Sequence, residues 1–254
     1  MIPGGVTLWP VPGLPLIQEG DDLPELIAAA FTRAAVPLQD GDALVISSKI
    51  VSKSEGRRIV LSEVSPSPEA QRYSDLTGKD PRLAELVLQE SRSVSRASKG
   101  VMVTTHRLGF TSANAGIDQS NVEGGDDVAL LLPRDPDSSA RQIRDRLRDL
   151  TGATLGIVIS DTHGRPFRLG NVGVAIGVAG MPAVLDLRGN PDLFGRVLKI
   201  TQNGFADLVA SAAHLVCGEG REGLPVVLLR GLAYAPVDGK ASEMVRPPEL
   251  DLYR

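Results

Sequence analysis

Two stretches of the sequence place aspartate in a pattern that suits a hard metal ion. Asp118 lies in the run SANAGIDQSN, whose small side chains let the backbone approach a ligand closely. Asp161 and Thr162 follow the apolar run Leu155–Ser160, and ligands tend to bind where such a buried strand ends. Mg²⁺ and Mn²⁺ prefer carboxylate and phosphate oxygens. The pattern predicts an aspartate-held divalent metal acting on a phosphate, although an Asx-type turn explains Asp118 equally well.

Cations occur close to these aspartates. Arg165 and Arg168 follow Asp161 in the run GRPFRLG and suit forked contacts to phosphate or carboxylate. Simple ion pairs with Asp161 are the alternative. In the run SSKIVSK, Ser48 and Lys53 follow an apolar strand, and a lysine there can bind phosphate as a point charge. A solvated strand end is the alternative explanation for this second group.

Several common catalytic motifs are absent from the sequence. There is no GxxxxGK[ST] phosphate loop, no GxSxG nucleophile elbow and no HExxH zinc motif. The three histidines, His106, His163 and His214, are scattered, and a lone histidine is more often packed or exposed than catalytic. A nucleotide site in this chain must therefore be built from aspartate, lysine and arginine.

Composition excludes other classes of protein. The 254 residues are 42% hydrophobic, enough for a full core in one large domain or two closely packed small ones. The net charge of −4 gives no broad cationic surface, so nucleic acid is not an expected partner. A single cysteine, Cys217, excludes disulfides and multi-thiolate zinc sites within one chain. We therefore expect a reducing, cytoplasmic location.

No segment is expected to enter a membrane. The first fifteen residues contain four prolines and no basic residue, unlike a secretory signal. The longest uncharged apolar run, Val172–Leu185, is shorter than the roughly 20 residues of a membrane span. Its glycines indicate close packing, and we expect this run to pack between subunits.

The periodicity of the chain predicts a mixed α and β fold. Helices are predicted from Asp22 to about Ala35, where Asp22 and Pro24 resemble a helix start, and in four later segments. A capping residue at Asp137 or Ser138 is predicted for the fourth helix. This fourth helix is predicted to end at about Leu150. The other predicted helices are 69–77, 81–91 and one from near Gly204 to Val216. The predicted strands are 43–46, 101–105, 128–132, 155–160 and 226–229.

At these residues the sequence resembles the coenzyme F-420-0:L-glutamate ligases, also called F-420:gamma-glutamyl ligases. The resemblance covers nearly the whole chain. It rests on LPLI from Leu14 and on six further segments in the same order. These are GDALVISSKIVSKSEGR from Gly41, KDPRLAELVLQES from Lys79, GFTSANAGIDQSN from Gly109, LLPRDPDSSA from Leu131, ISDTHGRPFRLG from Ile159 and VAIGVAG from Val174.

The resemblance implies roles for individual residues. It implies a GTP-dependent ligase with two divalent cations per subunit, Mg²⁺ or Mn²⁺, and a K⁺ ion in addition. Asp118, Asp161 and Thr162 would be metal ligands. With Arg165 and Arg168, the two aspartates form the predicted catalytic set. The residues that would contact GTP are Leu14, Pro15, Leu16, Ile17, Ser48, Lys53 and Asn121.

The resemblance also implies the fold and the assembly. The family's fold is α+β, with two interlocked subdomains of mixed sheets in an intertwined homodimer and a nucleotide cleft near the interface. We assign residues 1–245 to the ligase domain and 246–254 to a C-terminal tail. Some family members carry a second, flavin-reductase-like domain, so we expect either a stand-alone ligase or half of a two-domain protein.

The implied reaction adds L-glutamate to the deazaflavin coenzyme precursor. A carboxylate of the precursor would take the γ-phosphoryl group of GTP, and the amine of glutamate would then displace phosphate. Gln202 and Leu208 stand where the family pattern leads us to expect acidic residues, so the late helix is expected to bind cations or glutamate differently. Two alternatives stay open, a phosphotransferase or hydrolase on the same scaffold and a GTP-binding module without chemistry.

Overall fold

The computed structural model describes residues 4–251 and has the mixed α and β architecture that the sequence predicts. Six α-helices lie in the described part of the chain: α1 Leu23–Arg33, α2 Ser48–Ser54, α3 Pro68–Thr77, α4 Pro81–Gln89, α5 Pro136–Thr151 and α6 Phe205–Cys217. Twelve strands lie there too: β1 Thr7–Pro10, β2 Ala43–Ser47, β3 Arg58–Val60, β4 Ser91–Ser98, β5 Val101–His106, β6 Thr111–Ala113, β7 Val128–Leu130, β8 Gly156–Arg165, β9 Arg168–Ala179, β10 Val184–Asp186, β11 Gln202–Gly204 and β12 Val226–Arg230.

A five-stranded sheet in the order β1-β12-β2-β8-β9 forms the main region. Only β2 and β8 run parallel, and the other neighbours are antiparallel. Helices cover both faces. Leu44 and Ile46 of β2 pack on the face of α1 and α5, and Val45 packs on the face of α6. Because both faces are covered, β2 is a continuous apolar run, as the sequence predicts.

Residues 58–132 contribute a smaller region beside the main sheet. The antiparallel sheet β4-β5-β6 packs against α3 and α4 around Ala70, Val87 and Met102. The two-stranded β3-β7 pair closes this region against the main one. The C-terminal half adds two hairpins, the long β8-β9 pair and the short β10-β11 pair. No helix among residues 4–251 is long and apolar enough to cross a membrane.

Four local predictions need correction. Helix α5, which is the fourth predicted helix, begins at Pro136 with Asp135 as its capping residue. Asp135 Oδ1 accepts from Ser138 N, and proline suits the first helical position. Asp137 instead accepts from Val178 N and Ala241 N. The strand predicted to end at Ser160 continues to Arg165, because β9 pairs with it beyond that point.

The other two corrections concern extended segments. Ser48 to Ser54 form the helix α2 rather than a strand end, which places Lys49 and Lys53 one turn apart on the same face. The glycine-rich run after Val172 is mostly buried inside the chain, in β9, and leaves little surface for a partner. A Cβ on Gly177 would lie 2.4 Å from Pro136 O, and one on Gly173 would lie 2.7 Å from Ala210 O. The glycines allow close packing, as predicted, but against α5 and α6.

Candidate active site

A narrow cleft lies where α2, β8 and the loop after β6 meet. Its lining includes Ser48, Lys49, Asp118 and Asp161, so the structure brings together the two aspartates that the sequence singles out. The enclosed part has a volume of about 10 Å³, which is room for one water molecule. The rest of the cleft is open to solvent.

Asp161 reaches the cleft because of the parallel pairing in the sheet. The last pair between β2 and β8 is Ser47 with Ser160, and Asp161 is the next residue. It therefore lies at the end of the parallel ladder, although its strand continues as a hairpin. Ser48 Oγ donates to Asp161 Oδ1 at 3.1 Å, and His163 Nε2 lies 3.1 Å from Oδ2. These contacts hold the carboxylate toward the first turn of α2.

Asp118 is placed by an unusual loop. Asn114 and Ala115 adopt left-handed conformations, and Gly116 follows with a φ of 66°. A Cβ on Gly116 would lie 2.7 Å from Leu132 Cδ1 and 3.3 Å from Asp161 Oδ2, so only glycine lets the loop approach Asp161 this closely. The backbone of Asp118 then exchanges hydrogen bonds with Leu130.

The carboxylate of Asp118 is held ionised by its neighbours. Lys49 Nζ lies 2.7 Å from Asp118 Oδ2, and Ser120 N donates to Oδ1 at 2.6 Å. Burial alone raises the pKa of this carboxyl, but the hydrogen bonds from Lys49 and Ser120 and the charge of Lys49 outweigh it and lower the pKa below its usual value. The hydrogen bond from Ser120 N is the Asx-type turn that was the alternative explanation for Asp118. Asp118 forms this turn and also lines the cleft.

Lys49 lines the cleft, and Lys53 lies one helical turn further along α2. Lys53 Nζ donates to Asn121 O at 2.9 Å, and Lys49 Nζ donates to Ser120 Oγ at 2.9 Å. Burial lowers the pKa of Lys53, and the positive charge of Lys49 lowers it further, against a small opposing effect of Glu123. Two ammonium groups thus face one loop, where an anion would relieve their mutual repulsion.

The segment Leu14–Ile17 runs beside α2. Ile17 is buried in the main core and Leu14 packs against that core, whereas Leu16 is 84% exposed. The chain then reaches the end of α2, where Gly20 N donates to Ser54 O. This segment therefore lies next to the helix that carries Ser48 and Lys53, and its contact with GTP stays a prediction.

A glycine-rich loop after α6 approaches the cleft and was not identified from the sequence. Thr162 Oγ1 donates to Glu219 Oε1 at 2.9 Å, and Asn121 Nδ2 donates to Gly220 O at 3.1 Å. His214 Nδ1 also contacts Glu219. The signal was the spacing of three glycines in GEGREG, which has no fixed motif. Lys49 also lines the cleft but is not among the residues that the sequence predicts for the site.

The structure separates three predicted residues from the cleft. The Thr162 side chain faces Glu219 rather than Asp118 and Asp161. Arg165 and Arg168 lie opposite each other at the tip of the β8-β9 hairpin. There Arg165 Nη2 donates to Leu169 O at 3.0 Å. Neither arginine lines the cleft of its own chain, and their catalytic roles stay predictions.

The oxygen groups of the cleft suit a hard divalent cation whose remaining coordination positions are filled by a bound substrate. Two carboxylates and the Ser48 hydroxyl converge on the cleft, and Lys49 already contacts Asp118 as a cation would. No group of three or more His, Cys, Asp or Glu residues that could hold a metal occurs among residues 4–251. Mg²⁺ is commonly bound by one or two carboxylates together with substrate phosphates, so two aspartates suffice for such a site.

Comparison with known proteins identifies what the chain is similar to. A family model described as F420-0:Gamma-glutamyl ligase matches residues 13–231. A relative named Coenzyme F420:L-glutamate ligase, from Methanothermobacter thermautotrophicus, is 47% identical over 252 residues, which cover 98% of this chain and 99% of the relative. Relatives of the same name from Methanopyrus kandleri and Archaeoglobus fulgidus are 47% and 44% identical and cover 98% of this chain, and 98% and 96% of their own length.

Proposed function

The chain belongs to the F420-0:gamma-glutamyl ligase family, and from this premise we propose that it joins L-glutamate to the deazaflavin coenzyme precursor with GTP and a divalent metal. The proposal includes gamma-linked addition of further glutamates. The observation that carries it is the convergence of Asp118 and Asp161 on one cleft bordered by lysines. Carboxylates, lysine ammonium groups and a hydroxyl are the groups that phosphoryl transfer needs.

The nucleotide would lie along α2. Lys49 and Lys53 are one helical turn apart and supply positive charge for the phosphates, while Ser48 offers its hydroxyl beside Asp161. Asn121 closes the other side through its contacts with Lys53 and Gly220. The segment Leu14–Ile17 would contact the rest of GTP, with the exposed Leu16 as the group available to a ligand.

Asp118 and Asp161 would hold the divalent cations, two per subunit. Thr162 would be a further metal ligand, and a K⁺ ion would bind in addition. Bound Mg²⁺ or Mn²⁺ supplies charge neutralisation for the transferring phosphoryl group. Lys49 contacts Asp118 at 2.7 Å and would turn toward phosphate when a cation takes that carboxylate. The chain would thus orient the phosphates and neutralise their charge rather than supply a nucleophile.

The reaction balances in two displacements. A carboxylate oxygen of the precursor attacks the γ-phosphorus of GTP, the bond to the β-phosphate oxygen breaks, and GDP leaves. The amine of glutamate then attacks the acyl carbon, the carbon–oxygen bond to phosphate breaks, and the nitrogen loses its proton as the amide forms. The products are the amide, GDP and phosphate.

We also propose that the chain forms a homodimer through its C-terminal hairpins. Leu193 and Phe194, in the loop between β10 and β11, are 99% and 90% exposed. Phe167 and Leu169, at the tip of β8-β9, are 95% and 98% exposed. Apolar side chains this exposed, grouped on two projecting loops, are typical of an interface. In such a dimer Arg165 and Arg168 would act from the interface. Light scattering at micromolar concentration should give the mass of two chains, and a single-chain mass would contradict the dimer.

The test of the function is product analysis. The chain is incubated with the deazaflavin precursor, GTP, Mn²⁺ or Mg²⁺ and L-glutamate, and the products are analysed by mass spectrometry. We expect the precursor to gain one or more glutamyl groups, with one GDP and one phosphate for each. Phosphate release without a new amide would support a hydrolase or phosphotransferase instead. Bound but unchanged GTP would support a binding module.

A further inference from the structure

A second cavity lies next to the cleft and takes no part in the mechanism above. Its volume is about 340 Å³, near the lower end of the roughly 300–1,000 Å³ found for ligand pockets. Its walls include Phe110, Ile176, Asp207 in the first turn of α6, and Arg246 near the C-terminus. It therefore combines an apolar surface with charges of both signs.

His163 connects this cavity to the cleft. Its Nε2 lies 3.1 Å from Asp161 Oδ2, and its ring lies 5.0 Å from the Phe110 ring, which lines the cavity. A ligand in the cavity would thus lie one side chain away from a nucleotide held at Asp161.

Four aspartates line the cavity, Asp135, Asp137, Asp207 and Asp251, and Asp207 lies in the first turn of α6. Its Oδ1 accepts from Ala175 N at 2.8 Å, at a bulge where the β8-β9 register shifts after Ile159. Within residues 4–251 its Oδ2 forms no hydrogen bond, and that atom is not among the fully buried unpaired ones. Burial raises the pKa of this carboxyl, and the hydrogen bond from Ala175 N opposes that shift.

Arg246 supplies the opposite charge. Within the part of the chain that the structure describes, it forms no ion pair, and its side chain is exposed at the cavity. Asp137, also in the lining, is already engaged by the N–H groups of Val178 and Ala241. The free oxygen of Asp207 and the guanidinium of Arg246, both on the walls of this cavity, match a compact ligand that carries both an ammonium and a carboxylate group.

We propose that this cavity is the subsite for the amino-acid substrate, with Asp207 binding the α-ammonium group of L-glutamate and Arg246 binding one of its carboxylates. This inference rests on the proposed function. Phe110 and Ile176 would cover the methylene groups. The position of the cavity beside Asp161 brings the amine toward the carboxyl group activated in the cleft.

Substitution of Asp207 tests the proposal. Asp207→Asn keeps an oxygen that accepts from Ala175 N but removes the charge. Loss of a hydrogen bond to a charged group corresponds to about a tenfold or larger rise in KM for glutamate, and the KM values for GTP and the precursor should stay within about twofold. Arg246→Gln, on an exposed side chain, should raise the same constant. Asp149→Asn, on the exposed end of α5, is the matched control.

A competitor without an amine isolates the role of Asp207. Glutarate has the two carboxylates of glutamate but no ammonium group, so the wild type should bind glutamate more tightly than glutarate. In Asp207→Asn this preference should disappear. An unchanged KM for glutamate in both variants would overturn the assignment even when the wild type is an active ligase. A rise only in the KM for the precursor would overturn it as well.

Binding measurements separate this inference from the proposed function. If the wild type forms no amide, saturation-transfer NMR with L-glutamate and GTP still reports whether the amino acid binds. Binding to the wild type that is lost in Asp207→Asn and Arg246→Gln would support the subsite. Absence of glutamate binding to the wild type would overturn it.

Discussion

Two clusters of opposite charges occur in this molecule, and they differ in whether a ligand can reach them. In the cleft, Lys49 contacts Asp118, and Asp161 lies across a solvent-open space. In the smaller region, Glu90 at the end of α4 contacts Arg57 at 3.0 Å and Arg107 at 2.9 Å. Both clusters join segments that are distant in sequence, but only the cluster in the cleft leaves room for a ligand beside its carboxylates.

The Glu90 cluster is closed. The Glu90 side chain is 12% exposed and that of Arg57 is 7% exposed. Both arginines also bond to the backbone, since Arg57 Nε donates to Leu132 O and Arg107 Nη1 donates to Arg134 O. Burial raises the pKa of Glu90, but His106, Arg107 and Arg57 outweigh it and bring the pKa to about 2. This cluster fastens the smaller region to the main one and has no position for a substrate.

Accessible carboxylate oxygens, rather than the number of charges, distinguish a ligand site from a structural cluster in this molecule. Glu90 has more cationic neighbours than Asp161, yet its oxygens already have partners. Asp161 is held by a hydroxyl and an imidazole and faces the cleft. Substitutions in the two clusters should therefore affect different properties of the protein.

The largest effect is expected from Glu90→Gln, and it falls on stability. Removing this charge leaves Arg57 buried without its partner, and breaking a buried pair in this way costs about 3–5 kcal/mol. Denaturant unfolding of the variant and the wild type measures the difference. A loss below about 1 kcal/mol would show that Glu90 is not the closed structural centre described here. Glu69→Gln, whose pair with Arg72 is exposed, is the control.

Asp161→Asn should affect activity instead. Asparagine keeps an oxygen for Ser48 but lacks the charge that a metal needs, so the ligation rate should fall about 10²-fold or more, on the order of 3 kcal/mol. The free energy of unfolding without metal should change little. Steady-state kinetics beside the Asp149→Asn control gives the rate. Near-normal ligation would return Asp161 to the group of structural residues.

Lys53→Ala should have a smaller effect, on nucleotide affinity alone. Its ammonium contacts Asn121 O at the cleft edge without supporting the core, so removal should weaken GTP binding about tenfold, as expected for one charge-assisted contact. Calorimetry with GTP and metal measures this. Lys99→Ala, at an exposed turn, should bind GTP normally. Unchanged affinity in Lys53→Ala would remove Lys53 from the site.

The smallest effect is expected from mild acid. Because the pKa of Glu90 is lowered in the folded state, its contribution to stability is complete above the unfolded pKa near 4.5 and is lost as the pH falls toward 2. The difference in stability between the wild type and Glu90→Gln should thus be constant from pH 7 to 5 and begin to narrow at pH 4. A difference that already narrows at pH 6 would contradict the lowered pKa.

Local signals in the sequence predict much of the fold. Asp22, Pro24 and the apolar run 43–46 give the first helix and the central strand, because caps and burial patterns act within a few residues. The long β8-β9 hairpin was missed in part, since the continuation of β8 past Ser160 depends on pairing with β9 and not on its own apolar pattern.

The sequence predicts which residues form the candidate site but not how they are arranged in space. Ser48 and Asp161 are 113 positions apart, and only the parallel pairing of β2 with β8 brings them together. The Glu90 cluster was not predicted, because Arg57 and Glu90 are 33 positions apart and carry no motif. Asp207 was not predicted as a site residue, since the cavity it lines is formed by the bulge in β9 and the C-terminal segment.

The central claim is that the cleft with Asp118 and Asp161 holds the metal and the nucleotide. The most direct test is the rise in Tm that Mn²⁺ and GTP produce, because a ligand that binds only the folded state stabilises it. We expect a clear rise in the wild type, the same rise from a lower starting Tm in Glu90→Gln, and a much smaller rise in Asp161→Asn. An equal rise in the wild type and Asp161→Asn would contradict the claim.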